Sequence, residues 1–185
     1  MVYILLGEGF EEAEALVTAD VLRRGGVEAA LTGIGGMTVS GAHKIAVCCD
    51  TAAESVSLAE GDMLVLPGGL GGVASIEGSA AAMALVRRAA EDDGIWLAAI
   101  CAAPAMLGRR GIIGAGASAV CYPGMEGDLT AAGVTARMDL PAVTDGKLIT
   151  GRGPGAAFDF GLALLTALKG AETAESVRAG MHYGE

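Results

Sequence analysis

The chain has 185 residues, 52% of them hydrophobic, with 30 glycines and a formal net charge of -10 from 12 Lys plus Arg against 22 Asp plus Glu. That length and apolar content suffice for one compact domain over residues 1–185, and the acidic balance repels a phosphate backbone, which argues against nucleic acid as a partner. The opening MVYILLGEGF lacks a basic leader and falls far short of the roughly 20 apolar residues of a spanning helix, so no signal peptide or membrane partner is expected and the protein is expected in the cytoplasm.

In chain order, VYILL at residues 2–6 predicts a first strand, and EAEALVTADVLRRGG, from Glu12, predicts a helix stopped by Gly25 and Gly26. VEAALTGIG follows as a strand, MTVSG and HKIAVCC as a hairpin or paired short strands, DMLVLPGG as a buried strand ending in a glycine turn, and AAAMALVRRAAEDD as a helix. IWLAAIC is the next strand, apolar up to Cys101, and AAPAMLGRRG beyond it is helical. ASAVCYPG reads as strand then turn, residues 135–155 as further strands around an Asp145-Gly146 turn, and AAFDFGLALLTALKG as a helix buried against the sheet. This alternation predicts an α/β fold whose mostly parallel sheet carries helices on both faces.

In such sheets ligands bind beyond the carboxyl ends of the strands. Four features with chemical potential fall there: the acidic run at residues 8–14, PGGLGG at 67–72, Cys101, and GRGPG at 151–155. The four cysteines, at 48, 49, 101 and 121, show no C-x-x-C spacing, so no metal site is expected. Cys48 and Cys49 are neighbours in a strand-like run, where alternate side chains face opposite ways, and are poorly placed to pair.

GEGFEE after the first strand falls short of G-x-G-x-x-G, because its third glycine is Glu12 and Glu8 and Glu11 would repel a pyrophosphate. Cys101 admits two readings: a small hydrophobe filling a core, or a nucleophile at a strand-to-helix elbow, where the helix N-terminus favours thiolate. Glu14 shares a helical face with Val17 and Val21, so it either points inward and needs a partner or reaches solvent at the helix edge. Pointing inward and protonated, it would donate a hydrogen bond to a Cys101 thiolate and lower its pKa. The glycines of PGGLGG fit a backbone oxyanion site or a plain turn, and Arg152 in GRGPG fits an anion contact or a loop. His43 and His182, the only histidines, make no case for a triad, while Cys121 and Tyr122 close a strand that by fold logic reaches the same pocket.

EEAE with a DVLRRGG helix end, VLPGG, AAICAAP, and GRGPG before Phe-Asp-Phe-Gly together resemble the ThiJ/PfpI superfamily over essentially the whole chain. The closest resemblance is to the subgroup of the Parkinsonism-associated deglycase and the bacterial YajL-like proteins. It implies a flavodoxin-like three-layer sandwich of the class I glutamine amidotransferase type, usually a homodimer. It also implies Cys101 as reactive thiol, Glu14 as its protonated partner, N–H groups of Gly69 and Ala102 as the oxyanion site, and Arg152 on the rim or dimer side of the pocket.

Tyr122 departs from the histidine that deglycase-type members often carry there, and tyrosine is a poor base near neutral pH. Ala102 stands where the proteolytic branch has histidine. The resemblance thus implies a cofactor-independent, cysteine-dependent glyoxalase or deglycase acting on small reactive carbonyls. The alternative is a redox sensor or stress-protective chaperone whose Cys101 is oxidised; an amidase or peptidase would need a histidine beside Cys101.

Overall fold

In the computed structural model, which describes residues 1–184, the predicted alternation becomes one sheet with helices on either side. Strand β1 (Val2–Leu6) leads into α1 (Glu12–Arg24) and β2 (Ala29–Gly33). The antiparallel pair β3 (Thr38–Ser40) and β4 (Ala46–Cys48) stands outside the main sheet, which β5 (Thr51–Ala52) rejoins at its edge. Then come β6 (Met63–Leu66), α2 (Leu70–Gly78), α3 (Ala80–Glu91), β7 (Trp96–Ile100) and α4 (Ala102–Arg109). The chain closes with β8 (Ser118–Ala119), α5 (Glu126–Ala131), β9 (Thr135–Ala136), β10 (Ala142–Asp145), β11 (Leu148–Gly151), α6 (Ala157–Lys169) and α7 (Ala171–Gly180).

The seven-stranded order is β10-β11-β7-β6-β1-β2-β5, parallel throughout except for the β10-β11 hairpin. From β1 the chain crosses one way to β2, and from β6 the other way to β7. Right-handed crossovers in opposite directions put their helices on opposite faces, so α1, with α6 and α7 packed on it in series, forms one layer and α2 to α5 the other. Strand β6 is buried at every residue and β7 at all but Trp96, as central parallel strands covered on both sides must be. Phe10, Phe160, Ile4, Leu64 and Ile100 are among the largest side chains sealed in the core.

Three expectations change. LGGVASIEG, after the glycine turn, forms helix α2 despite its glycines, because Gly72 lets that helix sit against the backbone of Phe10, where a Cβ would meet Phe10 Cα at 2.7 Å. ASAVCYPG contributes only the two-residue β8, paired with β9 in a separate two-stranded ladder beside β10, and α5 forms where no helix is expected. Helix α6 buries Phe160, Leu164 and Leu165 as predicted, packing between α1, α7 and the sheet. Among the described residues no helix is long and apolar enough to cross a membrane.

Because β1, β6, β7 and β11 run parallel, their carboxyl ends share one rim. The turn at 7–11, the glycines at 68 and 69, Cys101 and the 151–155 loop therefore meet there.

Candidate active site

Cys101 is the single residue between β7 and α4, with φ 67° and ψ -115°. A non-glycine residue in this region carries strain on the order of 1–3 kcal/mol, which persists only where its surroundings enforce it. Here they do. The Cys101 N–H donates to the Gly151 carbonyl at 2.9 Å, the Tyr122 N–H donates to the Cys101 carbonyl at 2.8 Å, and every residue of α4 from Ala102 to Gly108 is buried. The elbow presents the thiol at a helix N-terminus with 8% of the residue exposed.

Glu14 lies on the first turn of α1 and is fully buried, which decides between the two sequence readings in favour of the inward one. Its Oε2 accepts from the Gly68 N–H at 2.6 Å, Oε1 is buried with no hydrogen-bond partner among the described residues, and the Cys101 thiol lies beside the carboxyl. Gly68 lets the three groups meet: a Cβ there would stand 2.7 Å from Glu14 Oε2 and 2.9 Å from the Cys101 sulfur. Gly69, at φ 81°, turns the chain so that its N–H, with that of Ala102, bears on the same sulfur.

Burial pushes the Glu14 carboxyl up to about 7, against the pull of its bonds to Cys101 and Gly68. Burial and the neighbouring Glu14 charge push the Cys101 thiol up to about 12, while the two N–H groups pull it down. With Glu14 ionised the thiol is thus raised, opposite to the expected lowering, so the two acids titrate as a unit that holds one proton and one negative charge between these values. The hydrogen bonds give the charge a place on sulfur. Sulfur has two N–H groups and a helix N-terminus to stabilise it, whereas Oε1 has none, and a proton on Oε1 turns that orphaned oxygen into a donor. The reactive form of the pair is the one with the charge on sulfur, a thiolate beside a neutral carboxyl.

The thiol opens into a cavity of about 580 Å³ lined by Gly69, Leu70, Cys101, Ala102, Tyr122 and Met125, together with Glu11, Pro123, Gly124 and Pro154. Of the residues expected at the site, the structure brings Cys101, Glu14, Gly69, Ala102 and Tyr122 together. Arg152 lies one wall away, in an adjoining cavity of about 220 Å³ that shares Tyr122, Pro123 and Pro154. No histidine lines either cavity among the described residues. Cys121 is buried, and its thiol is pushed up to about 11 by burial and the charges of Glu126 and Asp128, which leaves it a weak nucleophile.

Met125 was not legible as a site residue, and within PGGLGG and GRGPG the sequence pointed to the glycines and Arg152, not to Leu70 and Pro154. Glu12 carries another role that sequence did not reveal. It is not a solvated first-turn charge but a buried clamp on the β3-β4 loop: Oε1 accepts from the His43 N–H at 2.7 Å and Oε2 pairs with His43 Nδ1 at 2.8 Å. Glu11, Glu12 and His43 bring ligand atoms within 4.8 Å of one another, but the bonds from Glu12 to the loop account for that cluster without an ion.

Comparison with known proteins adds to this geometry. A profile of the DJ-1/PfpI family matches residues 1–167. Protein dj-1beta of Drosophila melanogaster is 37% identical over 179 residues, spanning 96% of this chain and 94% of its own. The glutathione-independent glyoxalase DJR-1.2 of Caenorhabditis elegans is 30% identical over 174 residues, 94% of this chain and 91% of its own. The crystal structure of Drosophila melanogaster DJ-1beta superposes with a TM-score of 0.89 at 34% identity, covering 100% of this chain and 98% of the other, and its fold is the flavodoxin-like one expected here.

Proposed function

The chain belongs to the DJ-1/PfpI family, and we propose that it is a cysteine-dependent, cofactor-independent enzyme of the glyoxalase or deglycase type, acting on small reactive carbonyls such as methylglyoxal or early glycation adducts. The observation that carries this reading is the Cys101 sulfur at a strained elbow, facing two backbone N–H groups and a buried carboxyl that holds a proton near neutral pH. A relative named as a glutathione-independent glyoxalase agrees with it.

The chemistry follows from these groups. The thiolate attacks the aldehyde carbon of methylglyoxal, a carbon–sulfur bond forms, and the carbonyl electron pair moves to oxygen, which the Gly69 and Ala102 N–H groups stabilise and the Glu14 proton neutralises. Glu14, now ionised, takes the proton from the former aldehyde carbon and returns it to the ketone carbon, while the hydroxyl proton passes from the first oxygen to the second, leaving a thioester of lactate. Water displaces sulfur, giving one proton to Glu14 and one to solvent, lactate departs, and the thiolate beside a neutral carboxyl returns. The sum is methylglyoxal plus water to lactate plus a proton, with no external oxidant or reductant. Tyr122, on the rim, supplies a hydrogen-bond donor to the substrate oxygens.

The direct test is carbon-13 NMR of labelled methylglyoxal incubated with the protein and no glutathione. We expect lactate in amounts matching the aldehyde consumed, over many turnovers; consumption that stops at one equivalent, with no lactate, would refute turnover.

We also propose that the protein works in the cytoplasm as a homodimer. Ala13 on α1 and Met37 and Ile45 around the β3-β4 hairpin are exposed apolar side chains that a second copy would cover. Sedimentation equilibrium should give about twice the 18.3 kDa chain mass, and a monomer at micromolar concentration would rule the dimer out.

A further inference from the structure

We propose, on the basis of the reaction above, that the cavity selects uncharged 2-oxoaldehydes bearing a bulky apolar substituent, such as a phenyl ring, over methylglyoxal and over carboxylate-bearing glyoxylate. Leu70 and Met125 are the specificity-determining side chains and Glu11 the group that rejects anions.

Size, lining and charge point the same way. A cavity of about 580 Å³ falls in the range of sites for drug-sized ligands, and a three-carbon aldehyde bonded to Cys101 leaves most of it unfilled. The remaining wall is apolar, with Leu70, Pro123, Met125, Pro154 and the Tyr122 ring all on it. Leu70 is 75% exposed and Tyr122 is 47% exposed, so each keeps apolar surface in water that a substituent would cover. Charge supplies the other half of the selection. Glu11 is the one carboxylate on this lining among the described residues, and no Lys or Arg shares the wall. Arg152 lies in the adjoining cavity beyond Tyr122 and Pro154, and His43, whose Nδ1 is 3.7 Å from Glu11 Oε2, is not on this lining. A substrate carboxylate would therefore lose hydration without gaining a counter-charge, beside Glu11 and a site that already holds one negative charge with Glu14.

Two measurements test this, one without reference to turnover. The first compares kcat/KM for phenylglyoxal, methylglyoxal and glyoxylate without glutathione; we expect phenylglyoxal ahead of methylglyoxal by about tenfold and glyoxylate behind it by about a hundredfold. The second follows alkylation of Cys101 by N-benzyliodoacetamide, iodoacetamide and iodoacetate, read by peptide mapping and normalised to the same reagents acting on free cysteine. The same order is expected. Leu70→Ala and Met125→Ala should each shrink the benzyl advantage, the pair bringing it to within about twofold, and Glu11→Gln should raise the iodoacetate rate relative to iodoacetamide by about three- to tenfold. Equal normalised rates for all three reagents, or an order unmoved by these variants, would overturn the inference. If the order holds but no 2-oxoaldehyde is turned over, the cavity selectivity stands and the proposed reaction falls; if methylglyoxal is turned over but the order is absent, the reverse is true.

Discussion

Cys101→Ser is expected to lower methylglyoxal turnover by at least about 10³-fold while the protein stays folded. The substitution changes one atom at an elbow already held by the Gly151 and Tyr122 backbone bonds, so circular dichroism and the unfolding midpoint should barely move. The chemistry does not survive the exchange, because a serine hydroxyl ionises far above the range in which Glu14 gives and takes protons, and no histidine lines the cavity to activate it. Cys121→Ser is the matching control: its thiol is buried and pushed up to about 11, and turnover should stay within about twofold. A Cys101→Ser protein retaining a tenth of the wild-type rate would remove Cys101 as nucleophile. Selective oxidation of Cys101 by peroxide, with no aldehyde turnover in the wild type, would shift the reading to a redox sensor.

Glu14→Gln should separate two properties of the site. An amide still donates to the Cys101 sulfur but moves no proton, so kcat should fall by about 10²- to 10³-fold while the apparent pKa for alkylation of Cys101 stays within about one unit of wild type. Glu14→Leu removes the donor as well, and its alkylation pKa should rise by about one to two units. A wild-type thiol that alkylates like free cysteine would show instead that the shared charge rests on Glu14.

The same substitution has a stability signature. The native site raises the Glu14 carboxyl from 4.5 to about 7, so the folded protein holds this proton more tightly than the unfolded chain does. The stabilising advantage of the neutral carboxyl is complete below about pH 4.5 and is lost as pH rises through about 7, where ionising the buried group costs on the order of 3 kcal/mol. Glu14→Gln never ionises. Urea unfolding should therefore find it more stable than wild type by about 1–3 kcal/mol at pH 8 and equal to it at pH 4; a difference independent of pH would contradict the burial-driven shift.

Much of this site was legible because elements of the sheet announce themselves locally. VYILL, DMLVLPGG and IWLAAIC are apolar runs of strand length with glycine or Cys101 at their carboxyl ends, and parallel pairing carries those ends to one rim whatever the details of packing. The helix after β1 was equally plain, and its 3.6-residue period put Glu14 on the apolar face before any contact was known. Elements whose stability comes from neighbours stayed hidden. Helix α2 carries glycines that argue against a helix, yet they suit one lying on the 7–10 turn, and the two-residue β8 is too short for an alternation pattern to register.

Sequence alone, then, determined the α/β class, the order of most strands, and the identity of Cys101, Glu14 and the glycines beside them as the groups to watch, since strand and helix periods are properties of neighbouring residues. Tertiary structure decided what those groups are. Glu14 and Gly68 stand 54 positions apart, and only folding closes the 2.6 Å bond that pins one carboxylate oxygen and leaves the other buried without a partner among the described residues. It likewise drew Leu70, Met125 and Pro154 into one apolar wall and set Arg152 behind it. Protonation and selectivity depend on burial and on partners remote in the chain, and neither can be read from a residue and its sequence neighbours.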